Sequence, residues 1–358
     1  MALVQIIDTL EVSMTRPYVQ IGAPNHLAAL RRHLDGVIPR LSVMEGVVGL
    51  TLNGGLSRGY ADQLSEIDVT IFLTPESFQR WETDRTPITV GICMLDGQLY
   101  DIKYVNYDTE RERDWEPVAV WDASYAEILY DPQGLIRQLL TCKLAHRPEP
   151  LEAGGLLMSC WWYYELAGTI WIRRGDVMQG QHLFNQAITP LVQALFVANC
   201  EYIPHEKWLL HLSRSLEWKP VDWESRLAAA LSTGDMSIAS LQARQKAIRE
   251  LWEEIDAHIL ASETQGLPVH LMQKGVYDHL MLLARQGSMT LQEWQAQTGG
   301  GVPNGDPFHP LIMVTQGRIT LDQDAFLRLG PAEMYAWHYA VLQAVRAKVA
   351  RGANLADA

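Results

Sequence analysis

The chain has 358 residues, 48% of them apolar and 20% charged, which excludes a disordered polymer and leaves room for two domains and an appendage. Its 42 acids against 29 lysines and arginines give a formal net charge of −13. That balance argues against long nucleic acid as partner, because such proteins gain affinity from Lys and Arg on phosphates; a cationic small molecule is favoured instead.

Asp8, Glu11 and Arg16 interrupt the first twenty residues, so no apolar run of leader length stands there. Leucine and isoleucine recur at helical spacing over 25–43 and predict an amphipathic helix. Val47 to Asn53 reads as a strand running into the turn Gly54-Gly55, and Ile67 to Leu73 as a buried, β-branched strand. Thr74 with Pro75 predicts a capped helix start. Ile88 to Leu95 and Leu99 to Val105 flank Asp96-Gly97, a hairpin signal. Glu127 to Tyr130 reads as another strand, and Asp131-Pro132 opens a helix over 133–144.

Arg147-Pro148-Glu149-Pro150 reads as a linker, and beyond it the β pattern stops. Helical spacing runs through 153–173, 176–200, 206–217, 221–232 and 236–262, and again near 269–286, 290–297 and 331–351. Residues 1–147 are therefore expected to form an α/β (α+β) domain with a small sheet. An all-α helical bundle is expected over 151–262, and a helical extension over 263–358. The apolar stretch Leu156 to Ile172 is broken by Glu165 and spans about 17 residues, at the lower limit for crossing a bilayer, so a buried helix is expected and no membrane. Cys93, Cys142, Cys160 and Cys200 stand far apart without a C-x-x-C pair, which suits reduced thiols in a cytoplasmic protein.

The stretch from Leu50 to Leu73 carries the chemistry. Gly54 and Gly55 let backbone N–H groups approach phosphate, since no Cβ stands in the way. Ser57 and Arg58 add a hydroxyl and a guanidinium on what reads as an exposed loop. Glu66 and Asp68 are two apart in a strand, so both project from one face while Ile67 turns to the core. Their mutual repulsion is relieved if a divalent cation sits between them. Asp101, in the strand after Asp96-Gly97, is a third carboxylate suited to Mg2+, whether for one ion or a pair.

From Gly54 to Asp68, with Asp101 following, the chain resembles the DNA polymerase β-like nucleotidyltransferases. In that superfamily a Gly-Ser opening precedes two alternating acids and a third acid comes from a later strand. The resemblance covers roughly residues 25–140 and implies a small mixed sheet flanked by helices. Gly55 stands where the family usually has serine, with Ser57 nearby, and Glu66 where aspartate is commoner. Residues 171–208, with Arg173 to Asp176, Asn185 and Lys207-Trp208, resemble the helical domain of antibiotic nucleotidyltransferases acting on aminoglycosides or lincosamides. By that likeness Lys207 would reach the triphosphate and Glu165 would face the acceptor.

The expectation is then transfer of AMP from ATP to a hydroxyl of a small, cationic acceptor. Gly54, Gly55, Ser57, Arg58 and Lys207 would hold the triphosphate. Glu66 and Asp68 would hold Mg2+, and Asp101 would serve a second ion or act as general base. AMP transfer to a protein side chain, or an inactive nucleotide-binding protein, are the alternatives. Acceptor identity and oligomeric state do not follow from the sequence.

Overall fold

The computed structural model describes residues 16–84, 86–261, 282–283, 285–298, 312–322 and 324. The chain divides into two compact units, one made of 1–149 with 199–219, the other of 150–198 with 220–358. The first division falls between Glu149 and Pro150, inside the expected linker. Residues 199–219, expected in the second domain, belong to the first unit.

The first unit is built on a five-stranded mixed sheet in the order β3-β4-β2-β1-β5. The strands are β1 Val47–Leu52, β2 Ile67–Leu73, β3 Gly91–Leu95, β4 Gln98–Asn106 and β5 Glu127–Tyr130. β2 and β4 run parallel, and every other neighbouring pair is antiparallel. Strand alternation sorts the two faces. Leu50, Leu52, Ile67, Val69, Ile71 and Ile102 are buried against α1 (Leu27–Ser42), whose Leu30, Leu34, Val37 and Leu41 form its apolar stripe. Asp68, Thr70, Asp101 and Lys103 share the opposite face, because β2 and β4 pair Asp68 with Asp101 and Thr70 with Lys103.

Local chemistry fixes the connections. α2 is a single turn, Gly54–Ser57, directly after β1. The Thr74 hydroxyl accepts from the Ser77 N–H, and Pro75 opens α3, Pro75–Thr83. Asp96 and Gly97 both take positive φ in the β3–β4 turn. α4 (Tyr107–Glu112) is capped by Asn106, and α5 (Pro117–Ala123) starts on Pro117; α6 spans Leu135–Lys143. Residues 199–219 carry α10, Glu206–Ser213. A strap at 16–20 ties them in: Arg16 donates to Ser124 and to Glu201, and the Tyr18 N–H donates to the Ser215 hydroxyl.

In the second unit, α7 (Gly154–Trp161) continues through a π-helical turn, Trp162–Ala167, into α8, Gly168–Arg174. They pack with α9 (Val177–Ala198), α11 (Trp223–Leu231) and α12 (Ile238–Ala261). Gly168 lets the Phe184 ring close on the helix, and Gly180 does the same for Leu241, since a β-carbon at either would overlap that side chain. Arg244 is fully buried among these helices. Its guanidinium donates to the Ala230 carbonyl (2.7 Å), Gln181 Oε1 (2.5 Å) and Asn185 Oδ1 (2.7 Å). Burial without a carboxylate partner brings its pKa down to about 10.

The expectation of purely helical structure beyond 262 is corrected. A three-stranded antiparallel sheet, order β6-β8-β7, is formed by Ser288–Thr290, Ile312–Thr315 and Arg318–Leu321, beside α13, Leu291–Thr298. The helix expected near 269–286 lies mostly, and that at 331–351 wholly, outside the described residues. Among the described residues no helix is long and apolar enough to cross a membrane.

Candidate active site

On the polar face of the first unit's sheet lies a cavity of about 730 Å3, lined by residues of that unit alone. Its floor is Asp68 on β2 and Asp101 on β4, neighbours across the parallel ladder. Glu66 also lines it, from the residue before β2 and not from within the strand as expected. The turn after β1 closes one side. Asn53 N–H donates to the Asp68 carbonyl (3.0 Å), and Gly54, at φ +68°, lies so close under Asp68 that a β-carbon would overlap its carboxylate. Glycine is therefore required there first by the aspartate, a different reason from the phosphate approach inferred from sequence.

A polar network stiffens this wall. Asn53 Oδ1 accepts from the Thr51 and Thr70 hydroxyls, and its amide donates to Asp122 Oδ2 (3.3 Å). Asp122 Oδ1 accepts from Arg58 Nη1 at 2.8 Å. The Arg58 side chain is only 4% exposed and stacks over Trp121 (4.7 Å) and Trp208 (5.6 Å). The expectation of an exposed Arg58 is thus corrected: its planar cation is sandwiched by indoles and committed to one carboxylate. Arg58 Nε and Trp208 Nε1 are buried with no acceptor among the described residues.

Of the other expected residues, Gly55 lines the cavity, and so does Lys207, whose backbone N–H is capped by His205 Nδ1 (3.1 Å). Ser57 does not. Its hydroxyl donates back to the Gly54 carbonyl (3.0 Å), closing its own turn. Glu165 belongs to the second unit, where its carboxylate, on the π-helical turn, takes two hydrogen bonds from Arg249 of α12 (3.0 and 2.6 Å). Asn53, Lys103, Trp121, Asp122 and Trp208 were missed from sequence. Lys103 could have been found, because a lysine two residues after Asp101 in a strand must share its face. Asp122 sits in a short helix that gave no signal.

The electrostatics centre on Asp68. Burial first, then the charges of Glu66 and Asp122, push its carboxyl from 3.8 up to about 6; Lys103 opposes this and Asp101 adds to it. Lys103 Nζ stands 3.5 Å from Asp101 Oδ2. Glu66, Asp68 and Asp101 are hard oxygen donors of the kind Mg2+ takes, and a cation would relieve the repulsion that raises Asp68. Among the described residues no three His, Cys, Asp or Glu side chains already form a metal cage. The donors suit such an ion in kind, and all three line the one cavity.

No protein-family model matches the chain. No curated protein matches it either. Among solved structures, a nucleotidyltransferase-like protein from Exiguobacterium sibiricum is similar over 74% of this chain and 84% of its own, at 11% identity and a TM-score of 0.38. That likeness is too slight to say what this chain does.

Proposed function

We propose that the chain is a nucleotidyltransferase, moving AMP from ATP to a hydroxyl of a small acceptor. The observation that carries this reading is the side-by-side placement of Asp68 and Asp101 on the cavity floor, next to a glycine turn. The spacing that resembles the DNA polymerase β-like superfamily supports it.

In the reaction the acceptor oxygen attacks the α-phosphorus, the bond from that phosphorus to the bridging oxygen breaks, and pyrophosphate leaves. A Mg2+ ion held by Glu66 and Asp68 would offset the negative charge that builds on the pyrophosphate. Asp101 accepts the proton of the acceptor hydroxyl. Lys207 lies where an ammonium can meet phosphate oxygens at the cavity rim. The six acids on the lining (Asp62, Glu66, Asp68, Asp101, Glu116, Asp122) favour a cationic acceptor such as an aminoglycoside, and a lincosamide is the second class to try.

The test is incubation with α-labelled ATP, Mg2+ and a panel of aminoglycosides and lincosamides. Labelled adduct with matching pyrophosphate is expected. A second reading, an inactive nucleotide-binding protein, is favoured by the commitment of Arg58 to Asp122. Calorimetric ATP binding without pyrophosphate release, across small molecules and lysate proteins alike, would establish that reading instead.

A further inference from the structure

Lys103 is unexplained by the fold. It lies on β4, two residues beyond Asp101, with its Cα in register with Thr70 of β2. Its side chain is 65% exposed, so its ion pair with Asp101 contributes little to stability. Yet the ammonium is 3.5 Å from Asp101 Oδ2, on the face where Asp68 and Asp101 stand side by side, and it lines the cavity. The ammonium there stands against the Asp101 oxygen that a second divalent ion would need. Two cations about 4 Å apart are tolerated only when anionic oxygens bridge them, and an ammonium offers no ligand oxygen.

We infer that Lys103 is a positioning residue that takes the place of a second metal ion, holding Asp101 aimed at the acceptor while a single divalent ion occupies the Glu66/Asp68 position. This rests on the nucleotidyl-transfer reading and settles which of two roles Asp101 has there: it is the base, and not the ligand of a second ion.

The experiment is electron paramagnetic resonance of the full chain with Mn2+ and α,β-methylene-ATP. The wild type should show the six-line spectrum of an isolated bound ion. Lys103→Ala should show the extra splitting of a spin-coupled pair, and Lys103→Arg, which keeps the charge, should return to the isolated spectrum. A coupled pair in the wild type, or an isolated ion in K103A, would overturn the inference and leave nucleotidyl transfer standing. No protein-bound Mn2+ in the wild type, with Asp68→Asn indistinguishable from it, would overturn both. Because Lys103 is exposed, K103A should melt within a few degrees of the wild type.

Discussion

Gly54 and Asp68 compete for one space: the aspartate carboxylate lies where a side chain at position 54 would begin. Gly54 also sits at φ +68°, a conformation that costs an L-residue about 1–2 kcal/mol. Gly54→Ala should therefore destabilise the first unit by about 1–3 kcal/mol and displace Asp68, with loss of nucleotidyl transfer. Urea denaturation with a parallel activity assay checks both; full activity in G54A would show that Asp68 need not stand where it does.

The raised Asp68 pKa sets a direction for stability against pH. Folded Asp68 holds its proton up to about pH 6, whereas in the unfolded chain it is lost near 3.8. Between those values the folded state binds more protons, so its stability falls as pH rises, and the loss is complete above about 6. The gap corresponds to roughly 2–3 kcal/mol. Asp68→Asn should consequently raise the melting temperature at pH 8, with little change at pH 4, while abolishing turnover. Mg2+ should stabilise the wild type more at pH 8 than at pH 5. A D68N variant no more stable than wild type at pH 8 would deny that Asp68 is strained by burial and like charge.

Arg58 combines a buried ion pair with indole stacking, which lysine cannot reproduce. Arg58→Ala should cost about 2–4 kcal/mol, and Arg58→Lys should recover little of it. In a double-mutant cycle with Asp122→Asn the two losses should fail to add. Additive losses would mean that the 2.8 Å contact does not couple them.

In the second unit, Arg244 satisfies two buried acceptors, on Gln181 and Ala230, and reaches the exposed Asn185 as well. Arg244→Ala would leave Gln181 Oε1 and the Ala230 carbonyl, both buried, without this donor, at a cost of about 3–5 kcal/mol. Thermal unfolding should show a large drop for R244A and for Arg244→Lys. A drop of only a degree or two would mean that water replaces the guanidinium freely.

Much of the first unit was legible because its signals are local. Ile67 to Leu73 and Glu127 to Tyr130 are strands as read, and Thr74-Pro75 caps a helix as read. Asp96-Gly97 turns the hairpin where glycine and aspartate tolerate positive φ. α4 and α5 went unseen because each is under two turns long, too short for periodicity to register. The β7–β8 hairpin was missed although Gln316 and Gly317, both at positive φ, supply a turn of the same kind. At the site, glycine and carboxylate spacing pointed to Gly54, Asp68 and Asp101. Exposure was misjudged for Arg58, because the two tryptophans that cover it lie far away in sequence, at 121 and 208. Glu165 takes its partner from Arg249, 84 positions away and beyond any local pattern.

The return of residues 199–219 to the first unit has a consequence for how the protein is made. A nascent chain that has emerged only to Glu149 lacks the Glu201 that receives Arg16, the Trp208 that covers Arg58, and Lys207. The ribosome must deliver all of 150–198 before the first unit can close, so completion of its cavity waits on translation of the helices between. A fragment ending at 149 should accordingly expose the Arg58 and Trp121 surface beside which Trp208 normally stands, and aggregate, whereas a chain carried through the later helices should not.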